Sequence, residues 1–193
     1  MTDWILDELT GRRLGGALFV LVGLIVAGMV LWPSGEKGDP PKARGTQPAR
    51  IVSVPLLGLT FAYPATWSRS VSGLVIRLHA PRRAAVMTFA SPVRGRETDR
   101  VKADTKAALR RLYAPAKVVN EGPAKLGTRK VTSFEIAGKA KGKPVRALAL
   151  TGSSRYRTYV VTLLTPARPS AKTLAEAQEV LATVRLVEPK RTR

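Results

Sequence analysis

The feature that most constrains this chain is an uncharged run of 19 residues from Leu14 to Trp32, LGGALFVLVGLIVAGMVLW. As an α-helix the run would be about 28 Å long, which is close to the thickness of a bilayer core, about 30 Å. Within lipid, a helix satisfies all of its own backbone polar groups. Trp32 suits the membrane interface, and Pro33 would end the helix. We therefore predict a single transmembrane helix over residues 14–32.

The same segment does not have the form of a cleaved signal peptide. The apolar run exceeds the roughly 7–15 residues of a secretory signal, and its exit, Val30-Leu31-Trp32-Pro33, offers no small-residue cleavage site. No cysteine is present to form a lipobox. We predict an uncleaved signal anchor that follows a short tail, residues 1–13. Small side chains near one helical face would permit close packing with another membrane helix, or would reflect only the frequency of glycine in such helices: Gly16, Gly23 and Ala27.

Basic residues flank the predicted membrane helix on both sides, so the charge rule alone does not fix its orientation. Arg12 and Arg13 adjoin its N-terminal end, whereas Lys37, Lys42 and other cations follow it. Residues 33–50, PSGEKGDPPKARGTQPAR, are rich in Pro, Gly and charge and have no apolar period. We predict that they form a flexible linker.

The net charge of +20 is concentrated after the linker. From Ile51 onward there are 27 Lys and Arg residues against 8 acids. Such an excess predicts an anionic partner or surface. The absence of cysteine excludes disulfides, thiolate metal sites and a cysteine nucleophile, and the single histidine, His79, excludes a site with several histidine ligands.

The region after the linker shows the patterns of strands and two helices. Proline and glycine separate short apolar or alternating segments, which predict strands at 52–63, 74–78, 85–90, 117–121, 129–137, 146–151 and 156–164, with a turn loop at 138–143. Apolar residues at helical spacing predict a first helix, capped by Glu97 or Thr98 and ended by Pro115, and a last helix over about 171–184. Their predicted inner faces are Val101, Thr105, Ala108 and Leu112, and Leu174, Ala177, Leu181 and Val184. This order favours an α+β fold with an antiparallel sheet.

The order of motifs is similar to that of a known family. The segment Phe61-Ala62-Tyr63-Pro64-Ala65-Thr66-Trp67 comes first, then a central helix, a turn at Gly127 and a strand with Phe134-Glu135. A glycine loop, a strand and a terminal helix complete the order, through Gly142, Arg146, Tyr156, Tyr159, Leu163, Pro166 and Thr183-Val184-Arg185-Leu186. Residues 51–187 thus resemble the PsbP-like domain family, and residues 188–193 form a basic tail.

The resemblance implies an α-β-α sandwich around a central antiparallel sheet. Members of the family mostly bind or stabilise protein assemblies and are not enzymes. Many bacterial members lie outside the cytoplasmic membrane on an anchor, which favours an extracytoplasmic domain attached to the bacterial inner membrane. The strong basicity of this chain and its lack of a lipobox depart from the family, so the resemblance does not identify the partner or the kind of anchor.

No residue pattern predicts catalysis or a cofactor. His79 follows a strand and is expected at a surface or rim, no Ser/His/Asp set is convincing, and no glycine-rich loop has phosphate-binding spacing. Trp67 is expected in the core. We predict that the protein is not an enzyme and needs no cofactor or metal.

The candidate binding residues are cations, which would otherwise form only a solvated, charge-rich surface. They are Lys102, Lys106 and Arg110 on the first helix, Lys139, Lys141 and Lys143 in the turn loop, and Arg155 and Arg157 near the following strand. Few aromatic residues accompany them, so we expect no nucleic-acid partner.

These patterns predict a membrane-anchored accessory or assembly subunit whose basic domain binds proteins of a bacterial membrane complex. The alternative is an envelope module that docks on anionic lipid or an acidic polymer. The oligomeric state stays open.

Overall fold

The computed structural model describes residues 49–55, 57–94, 97–155 and 157–186. Within them lie ten strands, two α-helices and a short 3-10 helix at Pro81–Arg83. The strands are β1 Ala49–Val54, β2 Leu59–Pro64, β3 Ser68–Ser72, β4 Val75–His79, β5 Val86–Arg94, β6 Lys117–Leu126, β7 Arg129–Ala140, β8 Lys143–Ser153, β9 Arg157–Pro166 and β10 Arg185–Leu186. The helices are α1 Thr98–Leu112 and α2 Ala171–Thr183. The predicted α+β class is confirmed.

Two antiparallel sheets form the fold. The large sheet has seven strands in the order β3-β4-β5-β9-β8-β7-β6, and the small one has the order β1-β2-β10. All their described pairings are antiparallel. Neighbouring strands of such a sheet run in opposite directions, so the strand order determines which connections lie at the same end of the sheet.

The large sheet is covered on both faces because alternate residues of its central strands point in opposite directions. On β8, Val145, Ala147 and Ala149 join the apolar cluster under α1, whereas Leu148 and Leu150 join the other cluster. That second cluster lies between the large sheet and the small sheet with α2. Each face therefore has its own core.

Helix α1 contacts β7, β8 and β9. Its buried residues are Val101, Thr105 and Leu109. The predicted inner face was wrong in its second half, where Leu109 is buried and both Ala108 and Leu112 are only partly buried. Spacings of four residues keep 101, 105 and 109 in one row, which suits a helix lying on a twisted sheet.

Helix α2 begins at Ser170, whose side chain accepts a hydrogen bond from the backbone N–H of Thr173 at 3.1 Å. Ala177 and Leu181 are buried as expected, but Leu174 is 38% exposed. The buried residues of α2 are Thr173, Ala177, Val180 and Leu181. Val180, which the prediction did not include, is therefore in the core, and Leu174 is not.

The predicted boundaries differ from the structure mainly at strands without an apolar pattern. Strand β3 reads Ser-Arg-Ser-Val-Ser and is exposed throughout, so no alternation marks it. The predicted loop at 138–143 is shorter, because β7 continues to Ala140 and β8 starts at Lys143. Only Lys141 and Gly142 form the turn.

None of the helices in the described residues is both long and apolar enough to span a membrane. The predicted transmembrane helix at 14–32, with Gly16, Gly23 and Ala27, lies outside the described residues.

Candidate partner-binding surface

The two ends of the large sheet differ in the connections that they carry. At one end, which we call the basic end, β1 and β3 begin, β4 turns into β5, α1 leads into β6, β7 turns into β8 and β9 leads into α2. The opposite end carries the β3–β4, β6–β7 and β8–β9 turns and the start of α1. The pairings of Ser68 with His79 and of Val145 with Pro166 align the strands at the basic end.

The chain comes into the described fold at the basic end. Ala49, the first residue of β1, pairs with Pro64, the last residue of β2. The backbone N–H of Trp67 donates to the carbonyl of Pro64 at 2.9 Å, and β3 starts at the next residue, Ser68. The segment that joins the domain to the predicted linker is therefore at the same end of the fold as the β4–β5 and β7–β8 turns.

The lysines of the β7–β8 turn lie together at this end. Lys139 is the last but one residue of β7 and Lys143 is the first residue of β8. Lys139, Lys141 and Lys143 are all exposed. Lys141 and Gly142 both have positive φ, 50° and 77°, as a type I′ turn requires. Glycine has no steric penalty there, and the turn presents Lys141 at its tip.

The cations of α1 divide between two environments. The Nζ atoms of Lys102 and Lys106 each lie 2.6 Å from a carboxylate oxygen of Glu121 on β6. Hydrogen bonds from these two lysines lower the pKa of Glu121 to about 2. Lys106 Nζ also lies 5.4 Å from the centre of the Phe134 ring. Arg110, near the C-terminal end of α1, is exposed at the basic end. Lys102 and Lys106 thus join α1 to the sheet and do not form the free binding face that the sequence predicts.

Arg155 and Arg157 lie at the opposite end, in the turn between β8 and β9 and at the start of β9. They are separated from the Lys139–Lys143 group by the length of β8, 11 residues or about 36 Å. The predicted cations therefore do not form one surface: the structure brings Arg110 and the lysine turn to one end and places the two arginines at the other.

The structure adds cations that sequence reasoning did not select. Arg82 and Arg83 occupy the β4–β5 turn, where both have φ of 54°. A left-handed conformation costs about 1–2 kcal/mol for a residue with a side chain. The signal in the sequence was Pro81-Arg82-Arg83 between two strands, which is typical of a turn. Four further exposed cations belong to the basic end, on β1, β3, β6 and the segment before α2: Arg50, Arg69, Lys117 and Arg168.

Three of the described acidic residues lie away from the basic end. Among the described acids, Glu97, Asp99 and Asp104 accompany the first half of α1, away from the basic end. Arg100 lies 3.5 Å from Glu97 and 3.9 Å from Asp104, so cations there have acidic neighbours.

Glu176, in the first half of α2, is already engaged. Its Oε2 accepts a hydrogen bond from Trp67 Nε1 at 2.8 Å, and Lys172 lies 3.6 Å away. Trp67 is 1% exposed, which confirms its predicted place in the core. Glu176 thus bonds to a buried side chain, and Glu135 on β7 is paired with Arg146 at 2.9 Å, whereas the cations on the turns of the basic end are exposed.

A second feature is a buried polar row on the sheet face that also carries α1. Arg77, Thr88 and Thr162 are opposite one another on β4, β5 and β9, and Thr151 lies beside them on β8. The hydroxyls of the three threonines are buried without a hydrogen-bond partner among the described residues. Burial lowers the pKa of Arg77. The pKa of His79 is lowered by burial first, then by the nearby charges of Arg83 and Arg77.

Neither feature resembles a metal centre. In residues 49–186, apart from the few positions left undescribed, no group of three or more His, Asp or Glu side chains is placed to hold a metal ion. His79 is half-buried at the end of β4, close to the rim position that the sequence predicts.

Comparison with known proteins supports a PsbP-like fold. The solution structure of the cyanobacterial PsbP protein CyanoP from Synechocystis sp. PCC 6803 matches with a TM-score of 0.51 and 12% identity, covering 77% of this chain and 98% of that one. A crystal structure from Bacteroides thetaiotaomicron VPI-5482 matches with a TM-score of 0.51 and 15% identity, covering 70% of this chain and 47% of that one. This chain thus spans about half of the Bacteroides protein. No family model and no curated protein matches the sequence.

Proposed function

We propose that this protein is a membrane-anchored accessory or assembly subunit, without enzymatic activity, whose domain binds proteins of a bacterial membrane complex. The observation that carries the proposal is that exposed cations lie in or beside turns at both ends of the large sheet, which include Lys141 at the basic end and Arg155 at the opposite end. A domain held by residues 14–32 would have its basic end close to the membrane and its opposite end open to an anionic partner.

The PsbP-like fold supports this proposal without specifying the partner. The solved cyanobacterial protein carries the name PsbP, and its fold resembles this domain over nearly its whole length. The α-β-α sandwich expected from the resemblance leaves the turns at both sheet ends uncovered by the helices. Binding through turns would explain why the charge lies there and not on the helix face that Glu121 neutralises.

The alternative proposal is a module that docks on anionic lipid or acidic polymer. The same basic end supports it, because unpaired lysines on turn tips suit any negative surface. The two proposals differ in whether a protein partner is found at the domain, and both place the domain outside the cytoplasm on the inner membrane.

Crosslinking and mass spectrometry of native membranes test the accessory role. We expect crosslinks from lysines of the domain to one membrane complex, retained when the complex is purified in detergent. A protein that crosslinks to no partner and purifies alone would contradict the accessory role and leave the docking module. Protease treatment of spheroplasts tests the topology, and a protected C-terminal domain would contradict an extracytoplasmic location.

A further inference from the structure

We propose that the basic end of the domain lies flat on anionic phospholipid headgroups of the membrane that holds residues 14–32. This inference rests on the proposed anchorage and deepens it by naming the orientation of the domain. The strands would stand away from the bilayer, and the opposite end would be carried outward as the surface available to a protein partner.

The first argument is the shared position of charge and chain connection. Arg82 and Arg83, Lys139, Lys141 and Lys143, and Arg168 lie in three different connections that the strand order brings to one end. Ala49 starts β1 at that same end. Only 16 residues separate Trp32 from Ala49, and a flexible linker of that length has a root-mean-square span of about 22 Å. The anchor would therefore keep these cations within reach of the headgroups.

The second argument is the state of the cations themselves. Within the described residues, no ion pair engages Arg82 or the lysines at 139, 141 and 143. By contrast, Arg100, Lys102 and Lys106 each have an acidic partner. Charges left unpaired on turn tips keep their attraction for an external anion.

The third argument favours lipid over an acidic protein. Stable protein interfaces usually have an apolar centre. Of the large apolar residues that are exposed in the described part, Val71 and Leu74 lie at the opposite end, whereas Ile51, Val118, Val119 and Leu174 lie on three separate elements at the basic end, β1, β6 and α2, outside its cationic turns. Cations on separate turns, with the exposed apolar residues divided among different elements, fit a flat layer of mobile anionic headgroups better.

The fourth argument is geometric. Strand β7 has 12 residues and spans about 40 Å from the turn at Gly127 to the turn at Lys141. If the basic end contacts the headgroups, Thr128 is held about 40 Å from the bilayer surface, whereas Thr66, between β2 and β3, lies near it. The proposal thus predicts two different distances for two exposed residues of one rigid fold.

The test uses the full chain, which has no cysteine, with a single cysteine introduced for a fluorescent donor. Thr66→Cys and Thr128→Cys are reconstituted into vesicles with an acceptor on the lipid headgroups. With phosphatidylglycerol in the vesicles we expect high energy transfer from position 66 and low transfer from position 128. The transfer from position 66 should fall in pure phosphatidylcholine and in about 1 M salt, where screening acts within about 3 Å.

Matched charge variants assign the effect to the basic end. Arg82→Gln, Lys139→Gln and Lys143→Gln together should bring the transfer from position 66 down to its phosphatidylcholine value, because three cations near an anionic surface account for about a 100-fold change in association. The control removes three exposed cations at the opposite end, Lys125→Gln, Lys130→Gln and Arg185→Gln, and should leave the transfer unchanged. Unchanged thermal unfolding shows that each variant folds.

Several outcomes would overturn the inference. Equal transfer from the two positions in anionic vesicles would show that the domain has no fixed orientation. Equal losses in the two charge variants would show a nonspecific effect of net charge, and docking that appears only after an acidic protein is added would identify a protein partner instead. Release of the chain by alkaline carbonate would contradict the anchorage. None of these measurements includes a partner complex, so the accessory role succeeds or fails separately in the crosslinking experiment.

Discussion

At the scale of single residues, the position of Glu121 determines the role of two nearby lysines. Lys102 and Lys106 looked like parts of a binding face because they share one side of α1. The structure places one carboxylate of β6 between them, 2.6 Å from each ammonium group. Their charge therefore acts inside the molecule, joining helix to sheet edge, although both residues are at the surface.

The first prediction concerns the titration of Glu121. Its pKa is lowered from 4.5 to about 2, since Lys102 and Lys106 stabilise the charged form. A lowered folded-state pKa means that the stabilising contribution is present above pH about 4.5 and is lost as the pH falls towards 2. Carboxyl NMR should give a midpoint near 2, with Glu121→Gln identifying the resonance. Lys102→Met should raise the midpoint, and a midpoint that does not move in this variant would contradict the pairing.

The second prediction concerns the buried threonine row. Thr162 is 4% exposed, and its hydroxyl lacks a partner among the described residues. Valine has nearly the same shape, so Thr162→Val removes a buried unsatisfied group and should raise the free energy of unfolding by about 1 kcal/mol. Urea denaturation measures this change.

Ser91→Ala is the matched control for the threonine row. The hydroxyl of Ser91 is buried and donates to the carbonyl of Thr158 at 3.0 Å, so its loss should lower the free energy of unfolding by about 1 kcal/mol. If Thr162→Val destabilises as much as Ser91→Ala, the threonine hydroxyl is satisfied in solution, for example by a buried water.

At the scale of elements, the end of α1 is fixed by its contact with β7. The backbone N–H of Lys139 donates to the carbonyl of Tyr113 at 2.9 Å. A side chain at Gly138 would meet the backbone oxygen and the Cβ atom of Tyr113. This close approach holds the C-terminal end of α1 over the sheet, and it brings Arg110 to the same end as the lysine turn.

The third prediction follows from this close approach. Gly138→Ala should lower the free energy of unfolding by about 1–3 kcal/mol, because the added methyl group forces the helix end away from the strand. Gly122→Ala on neighbouring β6 is the control, since a Cβ atom there has no neighbour within 4 Å. Chemical denaturation of the two variants measures the difference, and equal stabilities would contradict the proposed packing.

At the scale of the whole molecule, the strand order determines the distribution of charge. Lys139–Lys143 and Arg155–Arg157 are close in sequence, yet the single strand β8 separates them by its full length. Arg82 and Lys141 are far apart in sequence, yet both lie in connections at the basic end. Both ends carry cations, but only the basic end also carries the start of β1, and the proposed orientation on a membrane depends on that combination.

The fourth prediction concerns attachment to the membrane. Deleting residues 1–33 should move the protein from the membrane fraction to the soluble fraction, because the apolar run at 14–32 is its predicted anchor. Cell fractionation with a carbonate wash measures the change. A variant that replaces only residues 1–13 should stay with the membrane, and full retention of the 1–33 deletion after the wash would contradict the anchor.

Local patterns determined much of the fold. Proline and glycine punctuation, alternation and helical spacing gave the α+β class, both helices and most strands, because these signals arise within a few neighbouring residues. The short exposed β3 had no such signal, so it was not among the predicted strands. This strand determines at which end of the sheet the domain begins. Without β3, the end of β2 would lead straight into the start of β4 and would place the first residues of the domain at the opposite end of the sheet.

The sequence by itself thus determined the apolar segment of membrane length and the basic α+β domain of PsbP-like order, and it predicts a linker between them. The tertiary structure decided which charges act together. It paired Lys102 and Lys106 with Glu121, set Arg155 and Arg157 apart, and brought Arg82 to the same end of the sheet as the lysine turn, where the domain begins. The physical reason is that an antiparallel sheet sends successive connections to opposite ends, so neighbours in space follow from strand order and not from distance along the chain.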